Sequence, residues 1–172
     1  INKHMLKQNR GVKYGIIAGG ITVGIYLLFY LINKELVFNS FLNWATVGLY
    51  LAIAWKAIDD ERQAIGGKLE FQQALKVGFT VFVVANLVYY LYYYLLHGVF
   101  DPGLEEVQRA VMSETLEARK GMLSEEQYNA FQESLEGDGL KVGLQNTLLT
   151  YARSLIGYFL ISLGLAALAS RK

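Results

Sequence analysis

Read for where apolar and polar positions fall, the chain separates into four long apolar runs and one region of a different kind. The runs cover residues 12–32, 38–58, 74–99 and 144–169. Their charges lie toward the edges: Lys13, Lys56, Lys76 and, some way into the last run, Arg153. A helix needs about 20 mostly apolar residues to cross a hydrocarbon layer about 30 Å thick, and each run is long enough. In lipid every backbone polar group must be satisfied within the protein, so helices are the expected form. The pattern predicts an all-α integral membrane fold with four transmembrane helices. Four buried helices of a soluble protein are the alternative, but too little polar chain remains to cover them.

Residues 101–140 follow a helical period instead. Leu104, Val107 and Val111 make one narrow apolar stripe, and Tyr128, Phe131 and Leu135 make another. Asp101-Pro102 followed by Glu105 and Glu106 predicts a helix start with Asp101 as the N-cap. Gly121 suits a stop. Ser124-Glu125-Glu126-Gln127 is a capping box that opens a second helix, and Gly137-Asp138-Gly139 closes it. The expectation is an extracytoplasmic helical hairpin between the third and fourth spans, within a single membrane domain covering residues 1–172.

Composition agrees with this division. The 172 residues are 53% hydrophobic and 18% charged, with mean hydropathy +0.28, against about 45–50% apolar and about 25% charged in soluble domains. The absence of cysteine excludes disulfides, thiolate nucleophiles and cysteine metal sites. Two histidines, His4 and His97, are too few for a metal cluster. No span contains Asp or Glu, and no nucleophile–base pair is visible, so neither an enzyme, a cofactor nor a nucleic-acid partner is expected. The net charge of +1 hides a segregation: residues 101–145 carry −6 and the remainder +7. Basic residues gather in the N-terminal flank (Lys3, Lys7, Arg10, Lys13), the second link (Lys56, Arg62, Lys68) and the C-terminus (Arg171, Lys172). That asymmetry places both termini in the cytoplasm and the acidic hairpin outside. An acidic surface avoids anionic lipid, so the hairpin is expected to pack on itself or on protein. Met5 reads as an initiator, which would leave residues 1–4 outside the natural chain.

The candidate functional residues sit in the spans. Tyr89-Tyr90-Leu91-Tyr92-Tyr93-Tyr94 lies roughly 22–30 Å along the third helix from its inner end. At that depth an aromatic belt forms, with rings in lipid and hydroxyls in water. Tyr89 and Tyr93 share one face and Tyr90 and Tyr94 the next, so some rings must turn toward neighbouring helices. Asn86 lies near the midplane and reads as an interhelical hydrogen bond. Arg153 lies near the outer boundary, where it would snorkel outward or cover a tyrosine ring. Together Asn86, Tyr89, Tyr90, Tyr93 and Arg153 form a candidate lipid or headgroup contact. Small residues mark helix packing: Gly11, Gly15 and Gly19 at four-residue spacing, Gly20 and Gly24 on the adjacent row, and Gly157 and Gly164 in the fourth span.

The second link carries Gly66-Gly67, suited to a tight turn, within the pattern Gly66-Gly67-x-Leu69-x-Phe71-x-x-Ala74-x-x-x-Gly78. With the tyrosine-rich third span, Asp101-Pro102 and the acidic hairpin, it resembles the bacterial membrane proteins catalogued as domain of unknown function 4199. The resemblance runs over nearly the whole chain. It implies a multi-pass protein of the bacterial inner membrane and brings no catalytic residues. Two functions are expected from these features. The first is a non-enzymatic accessory or scaffold subunit, partnered by lipids and by another membrane protein or a second copy. The alternative is a small transporter or a protein handling lipids or lipid-linked sugars, with a cavity near Asn86, Arg153 and the tyrosines.

Overall fold

The computed structural model describes residues 9–137 and 140–171. Six α-helices follow one another: α1 (Arg10–Ile32), α2 (Ser40–Ala64), α3 (Phe71–Tyr93), α4 (Leu104–Ala118), α5 (Glu125–Glu136) and α6 (Leu144–Ser170). Short 3-10 turns occupy Lys34–Phe38 and Lys120–Met122, and α3 continues as a π-helix through Tyr94–Phe100. No strand occurs among the described residues. His4, Lys3, Lys7, Lys172 and the Asp138-Gly139 part of the expected closing turn lie outside them. Four helices are long and apolar enough to cross a membrane: α1, α2, α3 with its π-helical continuation, and α6.

Local chemistry moves three boundaries. α2 runs on to Ala64 rather than stopping near Ile58, because its acidic last turns are partnered. Arg62 pairs with Asp59, Lys56 Nζ lies 2.6 Å from Asp60, and Arg10 of α1 lies 2.8 Å from Glu61. The Tyr14 hydroxyl also donates to Asp60. Next comes the glycine turn, with Gly66 at φ 92° and Gly67 at φ 115°, a region closed to most side chains. Asp101 does not cap α4. The cap position falls to Gly103 and makes no side-chain bond, because the Asp101 carboxylate is taken by Tyr30 and Lys34. Nor does Gly121 stop α4, which ends at Ala118 and passes through Arg119 into a 3-10 turn. The Ser124–Gln127 capping box opens α5 as its sequence requires.

α3 is the centre of the bundle and touches α1, α2 and α6. One of its faces is a ridge of Thr80, Val84 and Val88, seated on Gly11, Gly15 and Gly19 of α1. A Cβ added at Gly15 would lie 2.6 Å from the Val84 Cβ and 3.0 Å from the Val81 carbonyl. At Gly11 and Gly19 the distances to Thr80 and Val88 are 2.6 and 2.7 Å. Beside and behind this ridge α3 buries Ala74, Val77, Gly78, Val81, Phe82, Ala85 and Asn86. Tyr158 of α6 stacks on Phe82 at 4.9 Å. The Tyr50 and Tyr151 hydroxyls donate to the Ala85 and Val83 carbonyls at 3.4 and 3.2 Å. Gly20, Gly24, Gly157 and Gly164 take no part in this packing: nothing would meet a Cβ there within 4 Å. α6 turns Thr147, Ser162, Ala166 and Ala169 inward instead.

The two glycine rows of α1 should therefore respond differently to a methyl group. Alanine gains the same helix propensity at either site. Gly15→Ala should nevertheless lose about 1–3 kcal/mol relative to Gly24→Ala through overpacking. Thermal unfolding of the two variants in one detergent reads the difference.

Candidate functional site

The outer end of α3 leaves α-helical pitch as the chain approaches Asp101. In the π-helical stretch the Asp101 N–H bonds to the Leu96 carbonyl, five residues back, at 2.7 Å. The stretch brings Tyr93 and His97 into a stack with ring centroids 4.1 Å apart, while Phe38 meets the imidazole edge-on at 5.5 Å. His97 is buried, and neither ring nitrogen finds a partner among the described residues.

Asp101 ties this end down. Its carboxylate accepts from the Tyr30 hydroxyl at 2.8 Å and from Lys34 Nζ, so the close of α1, the first link and the close of the α3 segment meet on one side chain. Lys34 first, then Tyr30, holds the Asp101 carboxyl below the usual carboxylate range, and Asp101 holds Lys34 above its own ordinary value.

The tyrosines do not all face outward. Tyr89 meets Tyr26 of α1 edge-on at 5.2 Å, Tyr90 meets Tyr151 of α6 at 5.9 Å, and Tyr26 donates to the Asn43 side chain at 2.8 Å. Above them, α4 packs on α5 and on the 34–38 link, and the Tyr128 hydroxyl of α5 donates to Glu117 of α4. Between this helical pair and the end of α3 lies a cleft of about 440 Å³, within the range of small-molecule sites, about 300–1,000 Å³. α4 contributes one continuous face: Gln108, Val111, Met112, Thr115, Leu116 and Arg119. The facing wall is Val37, Phe38, Tyr89, Tyr93 and His97, with Ser40 and Asn43 beside them; Leu123, Phe131 and Leu135 close the far end. A smaller cleft of about 280 Å³ opens on the other side of Tyr89, Tyr93 and Gln108. Its wall includes Tyr90, Lys141, Asn146 and Thr147, and the buried Thr147 hydroxyl has no partner in the chain.

The candidate contact residues are therefore divided. Tyr89 and Tyr93 line both clefts and Tyr90 the smaller one. Asn86 lines neither. It is buried, and its amide donates to the Phe82 carbonyl of its own helix at 2.8 Å, beside Tyr158 of α6. Arg153 is exposed on α6 and covers no ring among the described residues. A single cavity formed by Asn86, Arg153 and the tyrosines is not what the helices build. Sequence reasoning passed over His97, Gln108 and Arg119. The signals were the four-residue spacing of Tyr93 and His97 and the 108-111-112-115-116-119 spacing along α4.

These features define a multi-pass, all-helical membrane protein with a cleft at one end of its bundle. The chain belongs to the family described as Protein of unknown function (DUF4199), whose profile matches residues 13–171. No curated protein and no solved structure matches it.

The Asp101 tie has a pH signature. A carboxyl with a lowered folded pKa contributes above its unfolded value, and the contribution is lost as pH falls through the folded one. A spin label on Thr115→Cys should report a rigid cleft at neutral pH and growing mobility below about pH 4, where carboxylates protonate. Asp101→Asn should be mobile throughout. Because the pair is near the surface, high salt should loosen it too.

Proposed function

We propose that the protein is a non-enzymatic lipid-handling protein of the bacterial inner membrane, with both termini cytoplasmic and the acidic helical pair α4–α5 outside. It holds a lipid-like guest in the larger cleft, at the boundary where the tyrosines form an aromatic belt. The cleft itself carries this reading. Its lining is mostly apolar with polar groups set among it, Ser40, Asn43, His97 and Gln108 near the end of α3 and Thr115 and Arg119 further along α4, the composition of a site that takes an amphiphile. The charge asymmetry of the flanks supports the orientation.

The accessory or scaffold reading keeps one specific observation. Gly20 and Gly24 form an exposed small-residue row on α1, open to another helix. The tighter row, Gly11, Gly15 and Gly19, is already occupied by α3, which leaves less of α1 for a partner.

Filling the cleft tests the lead reading. Val111→Trp should cut the amount of single-chain lipid retained by the purified protein about tenfold, equivalent to about 1.4 kcal/mol. Leu160→Trp, on an exposed part of α6, should not. Equal retention by both variants, measured by native mass spectrometry, removes the proposal. The chain has no cysteine, so single cysteines at Lys120 and Lys68, both exposed, report topology directly: Lys120 should label from outside the cell and Lys68 only after permeabilisation.

A further inference from the structure

We infer that the guest of the larger cleft is a single-chain amphiphile with an uncharged hydroxyl head, and that His97 is the residue that recognises it. The inference rests on the guest-holding reading above and adds the class of guest. Shape comes first. The six cleft-facing positions of α4 run from Gln108 to Arg119, roughly 16 Å at about 1.5 Å per residue. A groove of that length and of about 440 Å³ suits a chain better than a compact ring system.

Polarity then gives the direction. Ser40, Asn43, His97 and Gln108 lie toward the α3 end of the groove, while Leu116, Leu123, Phe131 and Leu135 line the end between α4 and α5, where Thr115 and Arg119 are the polar exceptions. The head belongs at the first end and the tail at the second. His97 is 3% exposed, and both its nitrogens lack partners. A neutral imidazole carries one donor and one acceptor, and a hydroxyl supplies the matching acceptor and donor. A carboxylate offers acceptors only and would lie near the negative Asp101, four residues further along the chain. An ammonium offers donors only. Tyr93 covers one face of the imidazole, and Phe38 meets it edge-on from the 34–38 link.

The test uses the full chain in detergent, with dodecanol, its methyl ether and dodecane titrated by native mass spectrometry. A site built to hydrogen-bond a hydroxyl discriminates against analogues lacking it. Wild type should bind dodecanol about tenfold more tightly than either analogue. His97→Phe should bring the three together, and His97→Gln, which keeps a donor and an acceptor, should restore part of the preference. An unchanged thermal midpoint in His97→Gln checks that the fold is kept. Equal binding of all three by wild type, with Val111→Trp abolishing it, overturns the inference and leaves the guest-holding cleft standing. A preference that survives His97→Phe overturns the role of His97. Failure of all three to bind overturns the inference and the cleft reading together.

Discussion

The structure depends on how closely α1 can approach α3. Lipid tails are as apolar as leucine, so burial of apolar surface gives no net drive for helices to associate in a bilayer; backbone proximity and packing must supply it. Gly11, Gly15 and Gly19 remove side chains along one line of α1, and Thr80, Val84 and Val88 fill that line from α3. The ridge is β-branched, so its χ1 freedom in a helix is already small and little entropy is lost on docking. With α1 held along this length, the opposite face of α3 is free for α2 and α6. Those helices dock by different chemistry: phenol hydroxyls on backbone carbonyls and rings on Phe82.

The same arrangement positions the cleft. Since α1 and α3 lie together, their outer ends carry Tyr30 and Asp101 to the same place, and Lys34 of the intervening link joins them. α4 starts three residues after Asp101, so the tie sets where the helical pair leaves the bundle. The cleft wall is then contributed by pieces of chain that are distant in sequence: the 34–38 link with the start of α2, the end of α3, one face of α4, and the apolar side of α5 with Leu123 before it.

Much of this was legible in the sequence, and what was not has physical reasons. The four spans follow from run length, because lipid enforces backbone satisfaction on any crossing segment. The glycine row was visible as packing, but not its partner, since four-residue spacing is common and says nothing of which helix sits opposite. Gly20, Gly24, Gly157 and Gly164 look identical in sequence to the row that packs, yet face away from the bundle. Asp101 carried the local signature of a helix cap. A long-range partner in Lys34 outcompeted a few tenths to about 2 kcal/mol of capping. His97 was invisible as a site residue because a lone histidine at the end of an apolar run has no motif. Only the tertiary fold brings Phe38 and α4 around it. Asn86 was read as an interhelical hydrogen bond; it is buried, with its amide on the Phe82 carbonyl of its own helix and its side chain beside Tyr158 of α6.

The π-helical turn from Tyr94 to Phe100 gives one residue of slack to an otherwise regular rod. Such a turn differs from α-helical pitch by a single extra residue. Winding the same residues at ordinary α-helical pitch would swing everything downstream by about 100°. Asp101 would sweep off Lys34, and α4 would leave the bundle on another bearing. The pitch of this short segment thus works as a rotary index between the part of the molecule embedded in lipid and the part that stands above it.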